Sequence, residues 1–206
     1  MVNSCWVNRS LLFQMPDMIR TFISFELPEK IRSFIGSIQE DLRSNQLDAR
    51  WVQPKNIHLT LKFLGNINKD DTQKVGEAIF KSAADHAPIS LTAKGIGAFP
   101  GINRPSVLWV GIKGQIDMLI QLQKSLDDQL EKIGFSRENR PFKGHLTLAR
   151  VKKQLDQAKL INAIKKYKEL ESEPFIADNV ILFKSDLKST GAVYTKLISV
   201  SLKNLG

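Results

Sequence analysis

Two histidine–threonine pairs are the residues best suited to do chemistry. His58-Leu59-Thr60-Leu61 recurs as His145-Leu146-Thr147-Leu148, 87 residues later. The chain holds three histidines, and agreement of three following residues across any pair of them arises about once in two thousand sequences of ordinary composition. On an extended strand, alternate side chains share a face. His58 and Thr60 then project together, ~6–7 Å apart, while Leu59 and Leu61 enter a core. His145 and Thr147 do the same in the second copy. If the two faces meet across a cleft, two imidazoles and two hydroxyls converge.

That set suits displacement at phosphorus. The attacking and leaving oxygens lie on opposite sides of the phosphorus. One imidazole can take the attacker's proton while the other gives one to the leaving oxygen. Histidine titrates near neutral pH, so both forms are at hand, and threonine hydroxyls donate to phosphate oxygens. A lone His-x-Thr is more often a half-buried histidine beside a satisfied hydroxyl. Two copies in equivalent contexts outweigh that reading. Metal binding is weaker: two histidines without a neighbouring carboxylate or cysteine cluster make a poor zinc site. No cofactor or metal is expected.

The elements that must carry these residues follow from hydrophobic periodicity. Strands are expected over 20–27, 57–64, 89–98, 106–113, 145–151, 175–186 and 193–202, with a short extended piece at 50–52. Helical spacing marks 28–46, 70–86, 115–133 and 154–170. In the first helix Ile31, Phe34, Ile35, Ile38 and Leu42 form one stripe, with Pro28 at its start. Both tetrapeptides fall on strands and both are followed by a helical stretch, the pattern of a duplication. The expected fold class is α+β and bilobal: two pseudo-twofold-related lobes, each with an antiparallel-rich sheet and two helices, and an active-site cleft between them. Residues 1–17 read as an N-terminal extension, loosely ordered as termini commonly are, and 18–206 as one bilobal domain.

Composition sets the outer limits. The 206 residues are 42% hydrophobic and 25% charged, which excludes a disordered chain, a collagen or a disulfide scaffold. No apolar run approaches the ~20 residues of a membrane span, so no membrane partner is expected. The net charge of +9 favours polyanions such as RNA or nucleotides. A lone cysteine, Cys5, fits a reducing, cytoplasmic location. A monomer is expected.

Ile57-His58-Leu59-Thr60-Leu61-Lys62-Phe63-Leu64-Gly65 and Gly144-His145-Leu146-Thr147-Leu148-Ala149-Arg150 resemble the motifs of the 2H phosphoesterase superfamily. Within it they resemble the bacterial and archaeal RNA 2′,3′-cyclic phosphodiesterases, also called 2′-5′ RNA ligases. The opening Arg20-Thr21-Phe22-Ile23-Ser24-Phe25 and the Trp109 strand are similar too. The resemblance covers about residues 18–204. It implies hydrolysis of a 2′,3′-cyclic phosphate to a 2′-phosphomonoester. By the same resemblance His58 is the proton donor and His145 the proton acceptor, with Thr60 and Thr147 on the phosphate oxygens. The motif alone does not set that direction, because it is the same in both halves. The implied partners are RNA ends or nucleoside 2′,3′-cyclic phosphates. Sealing of RNA ends at the same site, and non-catalytic recognition of such ends, are the competing functions.

Other residues carry less. Arg150 has the wrong strand parity to join His145 unless a bulge re-aims it, although the resemblance places an arginine near the phosphate there. Lys62 shares parity with His58 and Thr60 and is expected either at the phosphate or in solvent at the cleft mouth. Phe99, beside Arg104 in a turn-rich link, can stack a base or plug a lobe edge. Trp51 and Trp109 read as core or cleft wall, and His86 as a structural residue at a helix end. Lys152, Lys153, Lys159, Lys165, Lys166 and Lys168 could track an RNA backbone, or form a solvated helix face.

Overall fold

The computed structural model describes residues 17–189 and 191–203. Of the expected extension 1–17, the part before Asp17 lies outside the described residues; the Asp17 carbonyl accepts the Lys69 N–H at 2.9 Å. The apolar stripes fold as amphipathic helices α1 (Glu29–Ser44), α2 (Thr72–Ala83), α3 (Ile116–Glu131) and α4 (Gln157–Tyr167). The alternating segments form β1 (Met18–Glu26), β2 (Arg50–Trp51), β3 (His58–Asn68), β4 (Ile89–Phe99), β5 (Val107–Gly114), β6 (His145–Arg150), β7 (Phe175–Ala177), β8 (Asn179–Lys188) and β9 (Gly191–Ser201). His86 follows the end of α2, where its Nδ1 meets the Ser82 carbonyl at 2.8 Å.

All pairings are antiparallel, in the order β7-β4-β5-β6-β3-β1-β8-β9, with β2 added on β6. One lobe is β3, β1, β8 and β9 with α2 and α3 against it; the other is β6, β5, β4 and β7 with α1 and α4. The bilobal α+β plan is therefore present, but the sheets are continuous rather than separate. They join at β3 and β6 through a single residue pair, Leu59 with Leu146. One hydrophobic core runs through both lobes and includes Leu59, Leu61, Leu146 and Leu148.

The lobes exchange elements. Helix α1 follows β1 in the first lobe yet packs on the second, where Gln39 bonds β6 and Asp41 bonds Lys166 and Tyr167 of α4. Helix α3 follows β5 in the second lobe and returns to the first, against β3. The expected strand 175–186 also divides. It breaks at Asp178 into β7 and β8, which five other strands separate in the sheet. A one-residue link can bridge them because the sheet curls until its ends approach, a consequence of strand twist accumulating across many strands.

Both motif strands carry a bulge just after the threonine. In β3, Lys62 pairs with Ile23 and Thr60 with Ser24, so Leu61 is the extra residue. In β6, Ala149 pairs with Leu108 and Thr147 with Trp109, so Leu148 is the extra residue. Each bulge reverses the face of the residues beyond it. Each is also braced by a buried polar side chain. Gln39 donates from Nε2 to the Leu148 and Val52 carbonyls, both at 2.8 Å. Lys62 pairs with Asp127 of α3 and donates to the Ser136 carbonyl at 2.7 Å.

The Gln39 brace gives a direct test. Gln39→Leu keeps the volume but removes both Nε2 donations, one to the buried Leu148 carbonyl and one to the half-buried Val52 carbonyl. Urea unfolding should show a loss of about 1–3 kcal/mol. A variant within ~0.5 kcal/mol of wild type would show that the amide does not hold the bulge.

Candidate active site

The Leu59–Leu146 pair fixes the geometry of the site. Extending that antiparallel register by one residue each way sets His58 across from Thr147 and Thr60 across from His145. The leucines point into the core, so the four polar residues share the opposite face. Directly opposed Cα atoms lie ~4.5–5.5 Å apart, and diagonal neighbours ~7–8 Å. The two histidines are the diagonal pair. The two threonines take the remaining corners of the same four-residue face.

Each imidazole is latched the same way. His58 Nδ1 lies 2.8 Å from the Asn56 carbonyl and His145 Nδ1 2.7 Å from the Lys143 carbonyl. A carbonyl can only accept, so each Nδ1 carries hydrogen and donates. That fixes the tautomer and leaves both Nε2 atoms for chemistry. Asn56 is itself tied to β9, where its Nδ2 donates to the Ala192 carbonyl at 2.7 Å.

The walls around the two imidazoles differ. His58 stacks on Phe22 at 4.5 Å and meets the edge of Tyr194 at 5.3 Å. Phe63 and Phe183 continue this aromatic wall behind Phe22. Burial among these rings pushes the His58 pKa down to about 4; the Asn56 carbonyl works against the shift and the charge of His145 adds to it. Burial raises the Tyr194 phenol, while Arg150 and Arg20 oppose that rise. His145 has a sparser wall, with its ring edge-on to Phe99 at 5.0 Å. Phe99 leans in turn on Trp109. Trp109 fits so closely over Gly97 that a β-carbon at 97 would overlap the indole; glycine is needed there for close approach.

A cleft of ≈ 480 Å³ opens over this face, and His58, Thr60, Thr147 and Arg150 line it. His145 is not among the residues that line it; its ring packs edge-on to Phe99. The β6 bulge turns Arg150 to the cleft, the change of parity it needed. Lys62 is a correction. The β3 bulge turns it inward, where it is 3% exposed and bound to Asp127 and Ser136; it reaches neither phosphate nor cleft mouth. Phe63 takes the cleft face in its place and is 57% exposed. Two lysines of the basic helix are also engaged, Lys166 with Asp41 and Lys159 with Gln46. Arg20, Arg50, Phe63 and Tyr194 line the cleft as well, without any sequence signal that singled them out. Among the described residues, no three His, Cys, Asp or Glu side chains gather as metal ligands.

Comparison with known proteins agrees with the duplicated architecture. The LigT-like phosphoesterase family profile matches residues 25–109 and again 110–194. The chain belongs to the LigT-like phosphoesterase family. It is 30% identical over 179 residues to the RNA 2′,3′-cyclic phosphodiesterase of Methanothermobacter thermautotrophicus, covering 87% of this chain and 96% of that one. It is 34% identical over 176 residues to the enzyme of the same name from Methanocaldococcus jannaschii, covering 85% and 96%. Among solved structures, TT0787 of Thermus thermophilus superposes with a TM-score of 0.76 at 25% identity, over 91% of this chain and all of that one. E. coli LigT complexed with 3′-AMP shares the fold, with a TM-score of 0.73 at 24% identity over 91% and 100%. Each of these matches to the LigT-like protein spans nearly the whole of its relative.

The depressed pKa of His58 makes stability depend on pH. An unfolded histidine titrates near ~6.5, whereas His58 in the folded chain titrates at about 4. Between those values the unfolded chain holds more protons, so stability falls as pH is lowered through this window. Urea unfolding at pH 7 and pH 4.5 should show that His58→Gln loses roughly 2–3 kcal/mol less than wild type over this interval. Parallel losses in both proteins would show that His58 is not held neutral.

Proposed function

We propose that this LigT-like protein is an RNA 2′,3′-cyclic phosphodiesterase that forms a 2′-phosphomonoester by two-histidine acid–base catalysis. The diagonal placement of His58 and His145, each latched through Nδ1 with Nε2 free, carries this reading. The names of the relatives support the substrate class.

In the proposed reaction a water oxygen attacks phosphorus and its proton passes to His145 Nε2. The P–O3′ bond breaks, and O3′ takes a proton from His58 Nε2. Thr60 and Thr147 donate to the non-bridging oxygens, which gain charge as the reaction proceeds. Arg150 adds positive charge in the cleft, and Phe63, turned outward on β3, offers a face for the base. The proton ends on the opposite histidine, and exchange with solvent resets the pair.

One point constrains the direction. His58 is neutral in the empty cleft at pH 7, so it has no proton at Nε2 to give. A bound cyclic phosphate brings a negative charge beside the imidazole, which favours its protonated form. The substrate thus loads the acid that later cleaves it. The monomer state and a cytoplasmic setting belong to the same proposal; no described helix is long and apolar enough to cross a membrane.

The test is turnover of a 2′,3′-cyclic phosphate in excess chelator, with the product isomer read by phosphorus NMR. A 2′-phosphate is expected, and His58→Ala and His145→Ala should each lower kcat at least ~10²-fold. Formation of the 3′-phosphate would reverse the direction of attack. Activity lost with chelator and restored by zinc would reject the mechanism.

A further inference from the structure

The charge of the cleft exceeds what one cyclic phosphodiester can balance. Arg20, Arg50 and Arg150 all line it, and among the described residues no aspartate or glutamate does. None of the three makes a salt bridge among the described residues, whereas Arg32 and Arg137 on the outer surface each pair with carboxylates. Guanidinium groups stay charged at any working pH. A cyclic phosphodiester carries one negative charge, so one arginine suffices for it.

The placement of the three is also informative. Arg50 on β2 pairs directly with Arg150 on β6. Like charges opposed across two strands are destabilising, and an anion between them removes the conflict. Arg20 lies on β1 beyond Phe63, paired with Asn66. It faces the cleft from the other lobe, two residues from Phe22, which stacks on His58. Arg20 and Arg150 both lie close enough to the Tyr194 phenol to oppose the effect of its burial. Arg20 from one lobe and Arg50 and Arg150 from the other therefore border one cleft.

We infer that Arg20 and Arg50 bind backbone phosphates of an RNA strand beyond the one that reacts, so that the site selects polynucleotide ends over free nucleoside cyclic phosphates. This rests on the phosphodiesterase reading above. The shared chemistry is a run of phosphates, which a nucleotide polyphosphate also carries, and the experiment separates the two.

The rate constant kcat/KM is measured against salt for a nucleoside 2′,3′-cyclic phosphate and for a trinucleotide ending in one. Each phosphate neutralised on a single strand contributes ~0.7 to the slope of log kcat/KM against log salt. The trinucleotide, with two further phosphates, should show a slope steeper by about 1.4. Arg20→Ala and Arg50→Ala should each reduce that excess by about 0.7 and lower the trinucleotide-to-mononucleotide preference about tenfold. Equal slopes for the two substrates overturn the proposal, as does an unchanged preference in both variants. Competition by ATP that Arg20→Ala abolishes, without any trinucleotide advantage, assigns the arginines to a polyphosphate and also overturns it. If neither substrate reacts, the phosphodiesterase reading fails; fluorescence anisotropy of the uncleaved trinucleotide, with the same slopes expected, then tests the arginines by themselves.

Discussion

Leu59 and Leu146 meet at the centre of the sheet, and that contact does two jobs. It splices the two lobes into one sheet. It also fixes the register of the two motif strands, so that burying the leucines leaves no choice about where His58, Thr60, His145 and Thr147 project. Each buried leucine contributes on the order of 1.5–3 kcal/mol, and a slip of one residue would turn all four polar groups into the core. The placement of the four polar residues and the packing of the core are therefore one constraint. The hydrophobic side of the motif determines the polar side.

The bulges after Thr60 and Thr147 extend this logic. A regular strand would send Phe63 and Arg150 away from the cleft. One extra residue in each strand turns them toward it and turns Lys62 and Ala149 inward. A buried ammonium needs a partner, and Lys62 finds Asp127 on α3 and a carbonyl in the segment that leads toward β6. A buried amide serves the other bulge through Gln39 on α1. The exchanged helices thus bring the polar braces: each lobe's bulge is held by a helix that follows a strand of the other lobe.

The four motif residues were legible in the sequence because period-two alternation and a repeated tetrapeptide need no tertiary information. Helix stripes were legible for the same reason, with ends shifting by a few residues. Bulges were not, since an extra residue looks like any other until its partner strand is known; plain alternation gives Lys62 the parity of His58 and hides Phe63. The break at Asp178 was hidden for a related reason. Phe175 to Asp186 reads as one extended run, and only the curl of the sheet sends its two parts to different neighbours. Tyr194 and Arg50 gave no signal, because their value lies in what the fold sets beside them.

The carbonyl latches on His58 and His145 are alike, yet the surfaces behind the rings are not. A chain of half this length, meeting its own copy through the same leucine contact, would present two equivalent imidazoles and have no reason to run the reaction one way. The aromatic wall of Phe22 and Tyr194 on one side, without an equal on the other, breaks that degeneracy. The rings of Phe22 and Tyr194 thus make the two imidazoles unlike one another before any substrate arrives.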